Sequence, residues 1–89
     1  MNNLVFETKT FLQTIRVFGD RIEIKEPLRV NTLSISSVAS VDTGFSPSYD
    51  SIIRTIDGKK HKLLVKSKDK QALKDAIFTA KDSLGTLNK

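Results

Sequence analysis

The chain has no cysteine and only one histidine in 89 residues. Without cysteine there are no disulfides and no thiolate ligands for zinc, so a weak core has no covalent or metal supplement. That usage fits a reducing compartment. The single histidine, His61, has no second His or Cys to share a metal, and only carboxylates remain as partners. Glycine is also scarce: Gly19, Gly44, Gly58 and Gly85 are dispersed over separate turns, so no glycine-rich phosphate loop exists. No stretch approaches the ~20 consecutive apolar residues that span a bilayer. The first residues, Met1 to Glu7, lack the basic region and long apolar run of a secretory signal. The expectation is a cytoplasmic protein without cofactor or metal.

Aliphatic residues are plentiful, and one domain over 1–89 is the natural division of a chain this short. A domain of this size buries only about 60–65% of its unfolded surface, near the lower limit of independent stability. The net charge of +5 is placed unevenly. Residues 1–45 carry five basic and five acidic groups, whereas residues 46–89 carry ten basic and five acidic. Such asymmetry points either to an anionic partner or to a solvated, solubilising surface.

Two periodicities divide the chain. Strands are expected between about residues 4 and 66, and a helix over about 68–84. In Thr14 to Phe18, Ile15 and Val17 alternate with polar residues; in Arg21 to Lys25, Ile22 and Ile24 do the same. Gly19-Asp20 between them reads as a two-residue hairpin turn with positive φ at the glycine. Pro27 stops the second of these strands. Arg29 to Ser36 reads as the next strand, with Leu33 and Ile35 inward, and Val38 to Asp42 follows after a bend. A loop from Thr43 to Asp50 precedes a second hairpin, Ser51–Ile56 and His61–Lys66, whose Asp57-Gly58 is a type I′ signal. The pairs Ile52-Ile53 and Leu63-Leu64 imply burial on both faces or a neighbour meeting one residue of each. Ser67 reads as an N-cap, with Asp69 in the first helical turn. Leu73, Ala76, Ile77, Ala80 and Leu84 recur at three- and four-residue spacing as an apolar stripe that Phe78 widens. Gly85 reads as the C-cap, and 85–89 as a frayed tail.

This order resembles the pleckstrin-homology-like superfold in its short bacterial form. The likeness rests on the Ile15–Ile24 hairpin with its "RIEIK", on the block Leu33-Ser34-Ile35-Ser36-Ser37-Val38-Ala39-Ser40-Val41, and on the Asp57-Gly58 hairpin followed by a terminal helix. Together these cover roughly Lys9 to Leu84. The resemblance implies a mostly-β (α+β) fold, a bent antiparallel barrel of six to seven strands capped by one C-terminal helix. It implies binding of membranes, peptides, protein partners or further copies, and no catalysis. Phosphoinositide-binding members carry a long basic loop between their first two strands. Here that connection reads as Gly19-Asp20, so the inositol-phosphate site is not carried over. An SH3-like barrel is the alternative fold, in which the helix would be an appendage.

The residues offer two candidate surfaces. Lys59, Lys60, Lys62, Lys66, Lys68 and Lys70 fall within twelve residues, with Asp69 the one acid among them. On a strand Lys60, Lys62 and Lys66 share a face, which can contact anionic lipid or phosphates; the plainer reading is protection of an edge strand. The loop Gly44-Phe45-Ser46-Pro47-Ser48-Tyr49 offers two aromatics, Phe45 and Tyr49, to a partner groove or a membrane interface, or else folds them over an open barrel end. Nucleic acid is not expected despite a pI near 9.7, since basic residues interleaved with aromatics are missing. Serines are numerous, but none lies in a Gly-x-Ser-x-Gly elbow, and His61 alone completes no triad. The expected function is a non-catalytic module binding a protein partner or itself. The alternative is an anionic-surface binder, of membrane lipid or nucleic acid, using Lys59, Lys60, Lys62, Lys66 and Lys68 of the Lys59–Lys70 cluster. No small-molecule substrate is predicted.

Overall fold

The computed structural model describes residues 4–43 and 50–87. Alternation of apolar and polar residues makes four successive antiparallel strands: β1 (Leu4–Lys9), β2 (Thr14–Phe18), β3 (Arg21–Glu26) and β4 (Arg29–Ser34). They form one sheet in the order β1-β2-β3-β4. A 3-10 turn at Ile35–Ser37 leads to β5 (Val38–Asp42), and then β6 (Asp50–Thr55) and β7 (Lys60–Leu64) complete a second antiparallel sheet, β5-β6-β7. A 3-10 turn at Ser67–Asp69 precedes the terminal helix α1 (Lys70–Leu87). The architecture is mostly β, two open antiparallel sheets of four and three strands with one C-terminal helix. The sheets do not close into a barrel.

The inward parity is as the alternation requires. Ile15 pairs across from Ile24 and Val17 from Ile22, and all four are buried. They join Leu33, Ile35, Val38, Val41, Ile53, Leu63 and Val65 in one core that Leu73, Ile77 and Ala80 of the helix complete. Ala76, Phe78 and Leu84 pack against it, partly buried. Of the doubled apolar pairs, Ile53 and Leu63 enter the core while Ile52 and Leu64 remain half-buried. The polar face of the first sheet carries opposed charges: Arg16 lies between Glu7 on β1 and Glu23 on β3. Arg16 Nε donates to Glu7, whose carboxyl is thereby held below its ordinary range.

Several local features differ from the sequence-based expectation. β1 lies ahead of the first expected hairpin, so Gly19-Asp20 joins β2 to β3 rather than the first two strands. The β1–β2 connection is Thr10-Phe11-Leu12-Gln13, which is short and holds no basic residue. Neither hairpin uses its glycine as expected. Gly58 has φ +88°, but Asp57 is not left-handed, so Asp57-Gly58 is not a type I′ turn. Instead Gly58 N–H donates to Thr55 O and Thr55 N–H to Lys59 O, giving a three-residue loop with its left-handed residue last. Asp57 stiffens it by accepting from Thr55 Oγ1 and from the Lys59 N–H at 3.3 Å. These two bonds, the hydroxyl's first, depress its carboxyl pKa. Gly19 is not left-handed. β4 ends at Ser34, because Ile35 enters the 3-10 turn that directs the chain to the second sheet. The helix begins at Lys70 and not near Ser67, with Asp69 drawn instead into a bond from Thr8 Oγ1 at 2.8 Å. It continues through Gly85 to Leu87. A glycine costs a helix about 1 kcal/mol but ends it only where the backbone turns left-handed.

Candidate functional site

β4 and β7 are the last strands of their respective sheets. Two hollows lie between them. One, of about 430 Å³, is lined on the first sheet by Ile24, Glu26, Arg29 and Asn31 and on β7 by Lys60, His61, Lys62 and Leu64. The other, of about 300 Å³, lies between Thr32–Ser34 and the β6–β7 hairpin, and His61 borders both. Together they trace a groove along β4 and β7. His61 shares the inward parity of Leu63, as its spacing implies, and is half-buried at this seam.

Gln13 holds one end of the groove. Its side chain is 6% exposed. Its Oε1 accepts the N–H of Leu64 at 2.8 Å, and its Nε2 donates to Glu26 Oε2 at 3.4 Å. A single amide thus ties the outer edge of β7 to β3 of the other sheet. Arg29 Nε donates to the second Glu26 oxygen at 2.8 Å. Arg29 first and Gln13 second lower the Glu26 pKa, so the carboxylate stays charged.

Lys59, Lys60, Lys62, Lys66 and Lys68 are all exposed. Lys60 and Lys62 are exposed on β7 and border the groove; Lys59 borders its second hollow. Lys66 and Lys68 are exposed but line neither hollow. β7 ends at Leu64, but the backbone stays extended at Lys66 and Val65 is buried, so Lys66 keeps the outward parity of Lys60 and Lys62. Lys70, in the same run, is buried. Placement of Lys60 and Lys62 on a terminal strand matches what edge protection requires. Phe45 and Tyr49 lie outside the described residues.

A second surface escaped the sequence reading. The β1–β2 and β3–β4 connections lie at the same end of the four-stranded sheet. They present Phe11 at 83% exposure and Leu28 at 98%, with Leu12 and Val30 about half exposed. Phe11, Leu12 and Pro27 share a shallow hollow with Lys9 and Lys25. The available signal was the Phe11-Leu12 pair standing out of alternation between two strands. Among the described residues no cluster of three or more His, Cys, Asp or Glu is placed to hold a metal. No helix among them is long and apolar enough to cross a membrane.

No known protein-family model matches the chain, and no curated protein matches it significantly.

Proposed function

We propose that the chain is a non-catalytic interaction module of pleckstrin-homology-like type, docking on protein, either a partner or a second copy. The observation that carries this reading is the pair of loops bearing Phe11 and Leu28, almost fully exposed side by side at one end of the sheet. Scattered apolar residues on a surface are ordinary, but several large ones gathered on adjoining loop tips mark a surface that another body covers. The order of four strands, three strands and a terminal helix supports the fold assignment. Sedimentation velocity over a concentration series tests it. Growth of mass with concentration, lost in a Phe11→Ser/Leu28→Ser variant, identifies self-association through this end.

A second reading has its own observation. Lys9 and Lys25 flank the apolar tips, and Arg29, Lys60 and Lys62 stand nearby along the groove. Apolar tips within a ring of cations suit an anionic bilayer, where each lysine near the surface contributes ~1 kcal/mol. A protein that stays monomeric at all concentrations, yet sediments with anionic and not neutral vesicles and is released by salt, establishes this reading over the first.

A further inference from the structure

We propose that the groove between β4 and β7 receives an extended, acidic segment of a partner protein, laid alongside the outer edge of β7 at Lys60. Three observations converge on this occupant.

The first is topology. Both strands are terminal in their sheets, and His61 borders both hollows between them. Six residues of β4 at ~3.3 Å each give a groove about 20 Å long, room for one strand of five or six residues. The second is hydrogen bonding. Leu64 turns its N–H away from β6, and Gln13 accepts it with a side-chain amide. Strand alternation directs the backbone of Lys60, four residues earlier, to the same edge. A ligand strand would extend along β7 the bonding that the Gln13 amide begins. The third is charge. Arg29, Lys59 and Lys60 line the two hollows with two acids, Glu26, already engaged by Arg29 and Gln13, and Asp57, already engaged by Thr55 Oγ1 and the Lys59 N–H. A second copy of β7 would bring lysine against lysine, so self-pairing at this edge is opposed. A segment with acidic residues on one face and aliphatic ones on the other sets the first against Lys60 and the second against Ile24 on the inward side.

The inference goes beyond the docking of the apolar end. Its test is read on dilute protein, where self-association plays no part, so the two readings can fail separately. Fluorescence anisotropy would follow binding of a fluorescein-labelled octapeptide of alternating Glu and Val, with a Lys-Val octapeptide beside it. Wild type, Lys60→Glu and Lys68→Glu are compared, both changes being at exposed positions. The expected result is saturable binding of the acidic peptide alone. Lys60→Glu weakens it about tenfold or more, a loss of the size that reversing an interface charge produces, and Lys68→Glu changes it less than about threefold. Bound peptide also slows amide exchange at Lys60. No saturable binding, equal binding of both peptides, equal losses in the two variants, or binding without protection at Lys60 would each overturn the proposal. So would binding to anionic vesicles with none to the peptide.

Discussion

The two flanks of this sandwich are built on different chemistry. On one, α1 packs chiefly against β1, β2 and the two 3-10 turns, and seals the space with Leu73, Ile77 and Ala80, all buried. Polar contacts fasten this flank: Thr8 Oγ1 donates to Asp69 in the turn before the helix, and Lys81 Nζ of the helix donates to the carbonyl of Val38. On the other flank, β4 and β7 approach without pairing, and a buried glutamine and a carboxylate hold the interval between them. The helix flank concentrates the apolar burial on which a domain of 89 residues depends. The groove flank leaves strand edges and cations accessible. Stability and recognition are therefore separable in this molecule, and substitutions should divide accordingly.

The largest effect is expected at the helix flank. Ile77→Ala removes a fully buried side chain and should cost about 2–5 kcal/mol in denaturant unfolding, whereas Lys60→Glu on the groove should stay within about 0.5 kcal/mol. A comparable loss from both would erase the distinction. Gln13→Ala comes next, because it releases the Leu64 N–H and the Glu26 carboxylate together. A cost of about 1–2 kcal/mol is expected, with faster amide exchange at Leu64 and no change at Thr8. The turns sharpen the contrast on a smaller scale. Gly58→Ala forces a Cβ into the left-handed region and should cost about 1 kcal/mol. Gly19→Ala meets open space at ordinary φ and should be neutral or stabilising by about 0.4–1 kcal/mol. Equal losses at both glycines would refute the turn assignment.

The smallest expected effect is on pH dependence. Glu7, Glu26 and Asp57 all have pKa values lowered in the folded state, chiefly by the hydrogen bonds from Arg16, Arg29 and Thr55. A carboxyl whose folded pKa is depressed contributes its stabilisation above its unfolded value, about 4, and loses it as pH falls through the folded value. Stability should thus be level near neutrality and decline in acid below about pH 4. Glu26→Gln should shallow that decline when unfolding is followed by denaturant titration at successive pH values. An unchanged acid slope would show that the Arg29 pair contributes nothing to it.

Much of this architecture is legible as periodicity. Ile15, Val17, Ile22 and Ile24 sit at alternate positions and are buried; Leu73, Ile77 and Ala80 recur at helical spacing and are buried too. The charge on Lys60 and Lys62 is equally plain in the sequence. Features that depend on distant contacts were not legible. Gln13 meets Leu64 across 51 residues, and Thr8 meets Asp69 across 61, so neither pairing leaves a local pattern. β1 falls within the span expected for strands, but its alternation is weak: only Thr8 is buried, and its register shifts between Leu4 and Phe6. The lysine run is legible in part: Lys60, Lys62 and Lys66 are exposed at one parity, whereas Lys70 at the start of the helix is buried.

Native-state amide hydrogen exchange would test the division of the two flanks most directly. The account predicts that amides of Leu73 and Ile77 exchange only through global unfolding, that Lys60 exchanges by local opening at a far faster rate, and that the acidic octapeptide slows Lys60 while leaving the helix unchanged. Equal protection on both flanks, or peptide-induced slowing confined to the helix or to the Phe11 loop, would contradict it.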